Sequence, residues 1–70
     1  MVSFDMKNGV ITNLSGDESE VEMVKDTVEF VTDDFETYEV YVTCEDGYVF
    51  CEGKGDDNEM INYTTWVGEW

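Results

Sequence analysis

The chain has 70 residues and a net charge of −15, because 18 Asp and Glu side chains face three lysines and no arginine or histidine. This length makes one small domain, residues 1–70. Its acidity excludes direct binding to nucleic acid or to an anionic membrane, since phosphate is bound by Lys and Arg. Without histidine and arginine the chain lacks the usual general base and the usual clamp for anionic substrates, so we expect no enzyme, no cofactor and no metal centre.

The sequence predicts a cytoplasmic protein. Its first residues, MVSFDMKNG, have neither the basic start nor the long apolar run of a signal peptide. No apolar segment reaches the roughly 18 residues of a membrane-spanning helix.

The segment VSFDMKNGVITNL predicts a β-hairpin. Asn8-Gly9 is a strong turn signal, because both central residues of a type I′ turn have positive φ. This turn places Met6 opposite Ile11, with Phe4 on the same face as Met6.

The segment from Glu18 to Glu36 mixes acids with valines and has two interpretations. Valine favours strands, so residues 20–32 are compatible with a second hairpin. At about 100° per residue, however, the apolar and the acidic side chains fall within two separate arcs of about 80° each. The apolar set is Val21, Val24, Val28, Val31 and Phe35. The acidic set, which we name the acid ridge, is Glu18, Glu22, Asp26, Glu29 and Asp33.

A helix over about Asp17–Asp33 explains this separation better than a strand, in which Val24 and Val31 would change faces. We expect Met23 and Phe30 to widen its apolar side.

The second half of the chain predicts three strands. ETYEVYVTC alternates with period two and predicts the first of them, Asp46-Gly47 predicts a turn, and YVFCEG predicts the strand that pairs with the first. MINYTTWV predicts a last strand after a loop. In this register one face carries Tyr38, Val40, Val42, Cys44, Val49 and Cys51, and the other carries Glu39, Tyr41, Glu45, Tyr48, Phe50 and Glu52. The element order is ββαβββ, a single α+β domain in which the acidic amphipathic helix packs on one face of an antiparallel sheet.

Cys44 and Cys51 lie diagonally in this register, which is too far apart for an unstrained disulfide. A register with Gly47-Tyr48 at the turn would place them directly opposite each other. We favour two buried free thiols, as in a reducing compartment.

Acidic loops such as GDDNE invite a calcium interpretation. An EF-hand loop needs alternating ligands, a glycine at its sixth position and a glutamate at its twelfth. DDNEMI has neither the glycine nor the alternation, so we expect no dedicated metal site.

The carboxylates of the acid ridge are spaced at one to two phosphate steps of a nucleic-acid strand, so the ridge imitates a stretch of phosphate backbone. Its carboxylates repeat every three or four residues, which is a rise of about 4.5–6 Å per step and roughly 22 Å in all. One DNA strand presents a phosphate about every 3.4 Å. A typical solvated helix face would mix charges of both signs, whereas this one has only Lys25 at its margin.

Two groups of residues are therefore candidates for binding a partner. The first is the acid ridge, extended by Asp34 and Glu36. The second is the aromatic and acidic sheet face, represented by Glu39, Tyr41, Glu45, Tyr48 and Glu52. Aromatic side chains among charges are typical of protein interfaces.

This composition, together with the ridge, resembles the small acidic nucleic-acid-mimic inhibitors that phages make against restriction enzymes, repair glycosylases and CRISPR effectors. The resemblance lies in the whole chain and has no alignable motif, so no functional positions are carried over. It implies an anti-restriction or anti-CRISPR phage protein in the host cytoplasm. Such a DNA mimic would occupy the basic groove of a nucleic-acid-binding protein or ribonucleoprotein, without catalysis.

Two alternatives remain open. The chain could be an acidic cytoplasmic adaptor, or a halophilic interaction module, that binds a basic partner without mimicking nucleic acid. A homodimer also remains open. Few lysines with many Val and Thr fit salt adaptation, but the absence of Ala, Arg and Pro argues against it, since GC-rich halophile genomes favour those residues.

Overall fold

A computed structural model of the protein describes residues 1–68. Two strands come first, β1 (Val2–Lys7) and β2 (Val10–Gly16), followed by the helix α1 (Ser19–Thr32). The strands β3 (Glu39–Glu45), β4 (Tyr48–Lys54) and β5 (Met60–Trp66) complete the domain, with a short 3₁₀ turn (Asp56–Asn58) before β5. The predicted order ββαβββ is confirmed.

The five strands form one antiparallel sheet in the order β2-β1-β3-β4-β5. Because β2 and β3 both pair with β1 in antiparallel fashion, they run parallel to each other on its two sides. The helix α1 is the connection between them and packs mainly over β3, the central strand. The predicted α+β fold, with one acidic helix on an antiparallel sheet, is therefore confirmed.

Both predicted hairpin turns have the expected backbone. Asn8 and Gly9 have φ values of 48° and 88°, and Asp46 and Gly47 have 51° and 81°. Met6 pairs with Ile11 in the first hairpin, as the sequence predicted. In the second, Cys44 pairs with Val49 and Cys51 with Val42, so the register with Asp46-Gly47 at the turn is correct.

The helix begins and ends close to its predicted limits. At its start the Asp17 carboxylate accepts hydrogen bonds from the backbone N–H and the hydroxyl of Ser19, at 3.0 and 2.7 Å. At its end the buried Thr32 hydroxyl donates to the Val28 carbonyl at 2.8 Å. The helix stops before Asp34, consistent with the unfavourable interaction of acids with the negative end of a helix dipole.

The core is a single layer between α1 and the sheet. Val21, Val24 and Val28 are buried, and Val31 and Phe35 pack against them at the margin. The sheet contributes Val2, Phe4, Met6, Val40, Val42, Cys44, Val49, Cys51 and Ile61. The predicted apolar stripe is therefore the stripe that packs on the sheet.

The expectation for Met23 and Phe30 was wrong. Met23 is 47% exposed and Phe30 is 75% exposed, so neither extends the core. The reason is angular: on a helix Phe30 lies about 160° from Val28 but only about 40° from Asp26. Hydrophobicity alone had assigned both side chains to the buried side.

Two polar side chains hold the loop between α1 and β3. The Asp56 carboxylate accepts hydrogen bonds from the backbone N–H groups of Glu36 and Thr37, both at 2.9 Å, and from the Thr37 hydroxyl at 2.8 Å. At the first turn, the Asn8 side-chain oxygen accepts from the Tyr38 N–H at 2.8 Å. These bonds fix the chain between the end of the acid ridge and the sheet.

The Phe35 ring closes the same corner of the domain. It packs directly on Gly55, where a Cβ atom would overlap the ring. In the part of the chain that the structure describes, no helix is long and apolar enough to cross a membrane.

Candidate partner-binding surfaces

The acid ridge is a continuous exposed line of carboxylates. Glu18 and Asp33, which flank the helix, both have right-handed helical backbone angles, so helical spacing holds from one end of the ridge to the other. All five of its acids are exposed. The ridge therefore spans roughly 22 Å with steps of about 4.5–6 Å, as the sequence predicted.

No cation of residues 1–68 lies within ion-pair distance of the ridge carboxylates. Within residues 1–68 the one ion pair joins the N-terminal ammonium group to Glu20, at 3.7 Å, and Glu20 is not a ridge residue. Lys25, at the margin of the ridge, is partly buried and pairs with none of its acids. The negative field of the ridge is consequently directed into solvent, where it attracts a basic surface.

Met23 and Phe30 add apolar surface beside the ridge, and the sequence interpretation missed them as site residues. Phe30 is one helical turn from Asp26, Asp33 and Asp34. An exposed aromatic side chain among carboxylates suits an interface, because aromatic residues supply much of the binding energy at interfaces. The helical angle of Phe30 was the signal that could have identified it.

Asp34 and Glu36 continue the acidic surface beyond the helix. Both are exposed. The backbone N–H of Glu36 is bound by Asp56, so the position of this residue is fixed relative to the sheet. The structure therefore places both predicted extensions of the ridge at its C-terminal end.

The second candidate surface is the outer sheet face, by which we mean the face of the sheet that points away from α1. Its predicted members Glu39, Tyr41, Glu45, Tyr48 and Glu52 are all exposed. Tyr48 lies beside Phe50, with ring centroids 6.4 Å apart, and pairs across the strands with the exposed Trp66.

The outer sheet face differs from the ridge in its charge. Glu39 lies between Lys7 and Lys54 in the strand pairing, so two of the three lysines belong to this face. On it, the neighbouring hydroxyl groups of Ser3 and, to a lesser degree, Thr43 lower the pKa of the Tyr41 hydroxyl. The face is thus aromatic with mixed charges, whereas the ridge is uniformly acidic.

The two candidate surfaces lie on opposite sides of the domain. The ridge is on the outside of α1, and the aromatic surface is on the far side of the sheet. A flat partner can contact only one of them at a time, so the predicted residues form two sites and not one.

The two cysteines are free and buried in the core. Burial raises the pKa of Cys51 to about 11 and raises the pKa of Cys44 as well. Both thiols are therefore protonated at neutral pH and are poor nucleophiles.

The acidic loops do not converge on a common point. Among residues 1–68, no three His, Cys, Asp or Glu side chains are grouped so that they could hold a metal ion. Asp56, the first aspartate of the loop GDDNE, instead binds the backbone of the α1–β3 loop. These hydrogen bonds, with that of the Glu36 N–H foremost, lower the pKa of Asp56.

Comparison with known proteins finds no matching family, no matching curated protein and no matching solved structure. Any function proposed for the protein therefore rests on the residues of this chain.

Proposed function

We propose that the protein is a non-enzymatic inhibitor that binds, through its acid ridge, the basic nucleic-acid-binding groove of a bacterial defence or nucleic-acid-processing protein. The observation that carries this proposal is the ridge itself: five exposed carboxylates spaced at one to two phosphate steps, paired with no cation in the described chain. Inhibitors of the anti-CRISPR and anti-restriction type work in this way, by competing with DNA or RNA for a groove.

The chemistry of such a complex follows from the charge of the two surfaces. A net charge of −15 accelerates the encounter with a basic groove, and this acceleration falls as salt screens the charges. Arginine and lysine side chains that bind phosphate oxygens would bind the ridge carboxylates instead. Phe30, beside the ridge, would then provide apolar contact next to these charged groups.

The partner can be sought by capture from a bacterial lysate at low and high salt, followed by binding measurements with purified nucleic-acid enzymes. The test variant is Glu22→Lys with Glu29→Lys on the ridge. Its matched control is Glu45→Lys with Glu52→Lys on the outer sheet face. Each pair changes the net charge by +4, from −15 to −11, so the two variants differ only in where the charge is reversed.

We expect the ridge variant to lose at least about tenfold in affinity, mainly through slower association, and the control to lose much less. The opposite ranking would assign binding to the outer sheet face and contradict the proposal. Equal losses would show that only total charge matters, as for an acidic adaptor. A partner that binds the protein and nucleic acid simultaneously would also exclude mimicry.

A further inference from the structure

The two edge strands of the sheet, β2 and β5, are protected to different degrees. Neither carries a charged residue, although the charge of the chain is −15. In β2 the pairing with β1 is interrupted between Ser3 and Asp5, and Asn13 has a positive φ of 54°. In β5 the pairing with β4 continues without interruption from Met60 to Trp66.

A regular edge strand without charge is unusual, because its free backbone N–H and C=O groups can pair with any other strand. Proteins normally protect such edges with lysines, prolines, bulges or a covering element. β2 has its bulge, whereas the sequence MINYTTW of β5 has no lysine and no proline. Residues 1–68 place no further strand beside β5.

We propose that β5 is the interface through which two copies of this chain form a homodimer, pairing edge to edge in antiparallel fashion. The argument for a second copy is electrostatic: a basic partner would be matched by acids at the contact, and β5 has none. Two molecules of charge −15 repel each other, and repulsion is weakest where neither presents a charge at the contact. Of the two uncharged edges, β5 is the one with a regular backbone, and two-fold symmetry places identical strands against each other.

The geometry of this dimer is defined by the sheet. A two-fold axis perpendicular to the sheet joins the two sheets into one of ten strands and leaves both helices on the same side. Five strand spacings of about 4.8 Å separate the two β3 strands, over which the helices pack, so the two acid ridges lie roughly 24 Å apart. One strand pairing buries less than the roughly 1,000 Å² of a strong interface, so the dimer is weak and depends on concentration.

The test is the molecular mass in solution, measured by sedimentation equilibrium over a wide range of protein concentration. The test variant, Asn62→Lys with Thr64→Lys, gives β5 the protection that edge strands usually have. Its matched control, Thr12→Lys with Ser15→Lys, makes the same charge change on β2. All four positions are exposed, and circular dichroism checks that both variants remain folded.

We expect the wild type and the β2 variant to pass from 8.1 kDa to twice that mass as concentration rises, and the β5 variant to stay at 8.1 kDa. A wild type that stays monomeric at millimolar concentration would overturn the inference. A β5 variant that still dimerises would overturn it as well.

Salt separates this inference from the proposed function. Dimerisation of like-charged molecules strengthens as salt screens their repulsion, whereas binding of the acid ridge to a basic groove weakens. The mass measurement needs no partner, so either proposal can fail without the other. Dimerisation that weakens with added salt would contradict an association that is limited by the repulsion between the two copies.

Discussion

The packing of α1 predicts that truncating the smaller side chain, Val28, destabilises the protein more than truncating the larger one, Phe30. Val28 is fully buried against the sheet, and Phe30 is 75% exposed. Val28→Ala removes two methyl groups from the core, which costs about 1.6 kcal/mol in transfer free energy, and the cavity left behind raises the loss to about 2–3 kcal/mol. For Phe30→Ala little burial is lost and the helix propensity improves, so the free energy of unfolding should change by less than about 0.5 kcal/mol.

Urea unfolding followed by circular dichroism measures both values. A domain of this size has only about 3–5 kcal/mol of total stability, so Val28→Ala should be visibly less folded even without denaturant. Side-chain size alone predicts the reverse order, because truncating a buried phenylalanine to alanine normally lowers the free energy of unfolding by about 3–5 kcal/mol. A larger loss for Phe30→Ala than for Val28→Ala would mean that α1 is rotated on the sheet and that the acid ridge is not its outer face.

The remaining predictions concern the core thiols, the loop, the solvent and pH. Because burial keeps the thiols protonated, Cys44 and Cys51 should not react with a thiol reagent at pH 8 until the protein unfolds, and rapid reaction in the native state would contradict their burial. Reductant or chelator should leave the midpoint of thermal unfolding unchanged within a few degrees. The pKa of Cys51 is raised from 9.0 to about 11, so the stability it contributes is complete below pH 9 and is lost as pH rises towards 11, which pH-dependent unfolding can measure. Asp56→Ala should increase amide hydrogen exchange at Glu36 and Thr37, and unchanged exchange there would exclude the loop contact. The isolated protein should be folded at about 0.1 M salt, whereas a salt-adapted protein would unfold there because screening is incomplete.

The hairpins and the helix were predictable because their signals are local. Asn8-Gly9 and Asp46-Gly47 define their turns. The first turn defines the register of β1 and β2 as far as the bulge beside Ser3 and Asp5, and the second defines the whole register of β3 and β4, including the diagonal placement of Cys44 and Cys51. The helix was predictable because valines and acids separate at helical spacing, which a strand would not produce.

The order of the strands was not predictable in the same way. β1 pairs with β3, more than thirty residues further along the chain, and an alternating pattern does not say which strand is its neighbour. The sheet order, and with it the identity of the two edge strands, comes from this distant pairing. The uncharged sequence of β5 could be read directly, but its significance as an edge could not.

The candidate site was predictable in its charges but not in its apolar part. Exposure of the acids followed from the helical pattern, since a stripe opposite the core faces solvent. Phe30 was assigned to the core because large apolar residues are usually buried. Surface phenylalanines are nevertheless common, so the angular position of the residue around the helix is needed as well. The ridge and the outer sheet face are separate because α1 covers the opposite face of the sheet. The apolar side chains that alternate along the strands correctly predicted which face α1 covers.

Displacement of nucleic acid from a captured partner tests the ridge most directly. The partner is loaded with a fluorescent duplex DNA or guide RNA in about 0.1 M salt, the protein is titrated in, and the anisotropy of the label is followed. We predict that the wild type and the Glu45→Lys, Glu52→Lys control release the nucleic acid stoichiometrically, and that the Glu22→Lys, Glu29→Lys variant does not. If the wild type binds the partner while the label stays bound, or if the ridge variant displaces it as well as the wild type does, the acid ridge is not a mimic of nucleic acid.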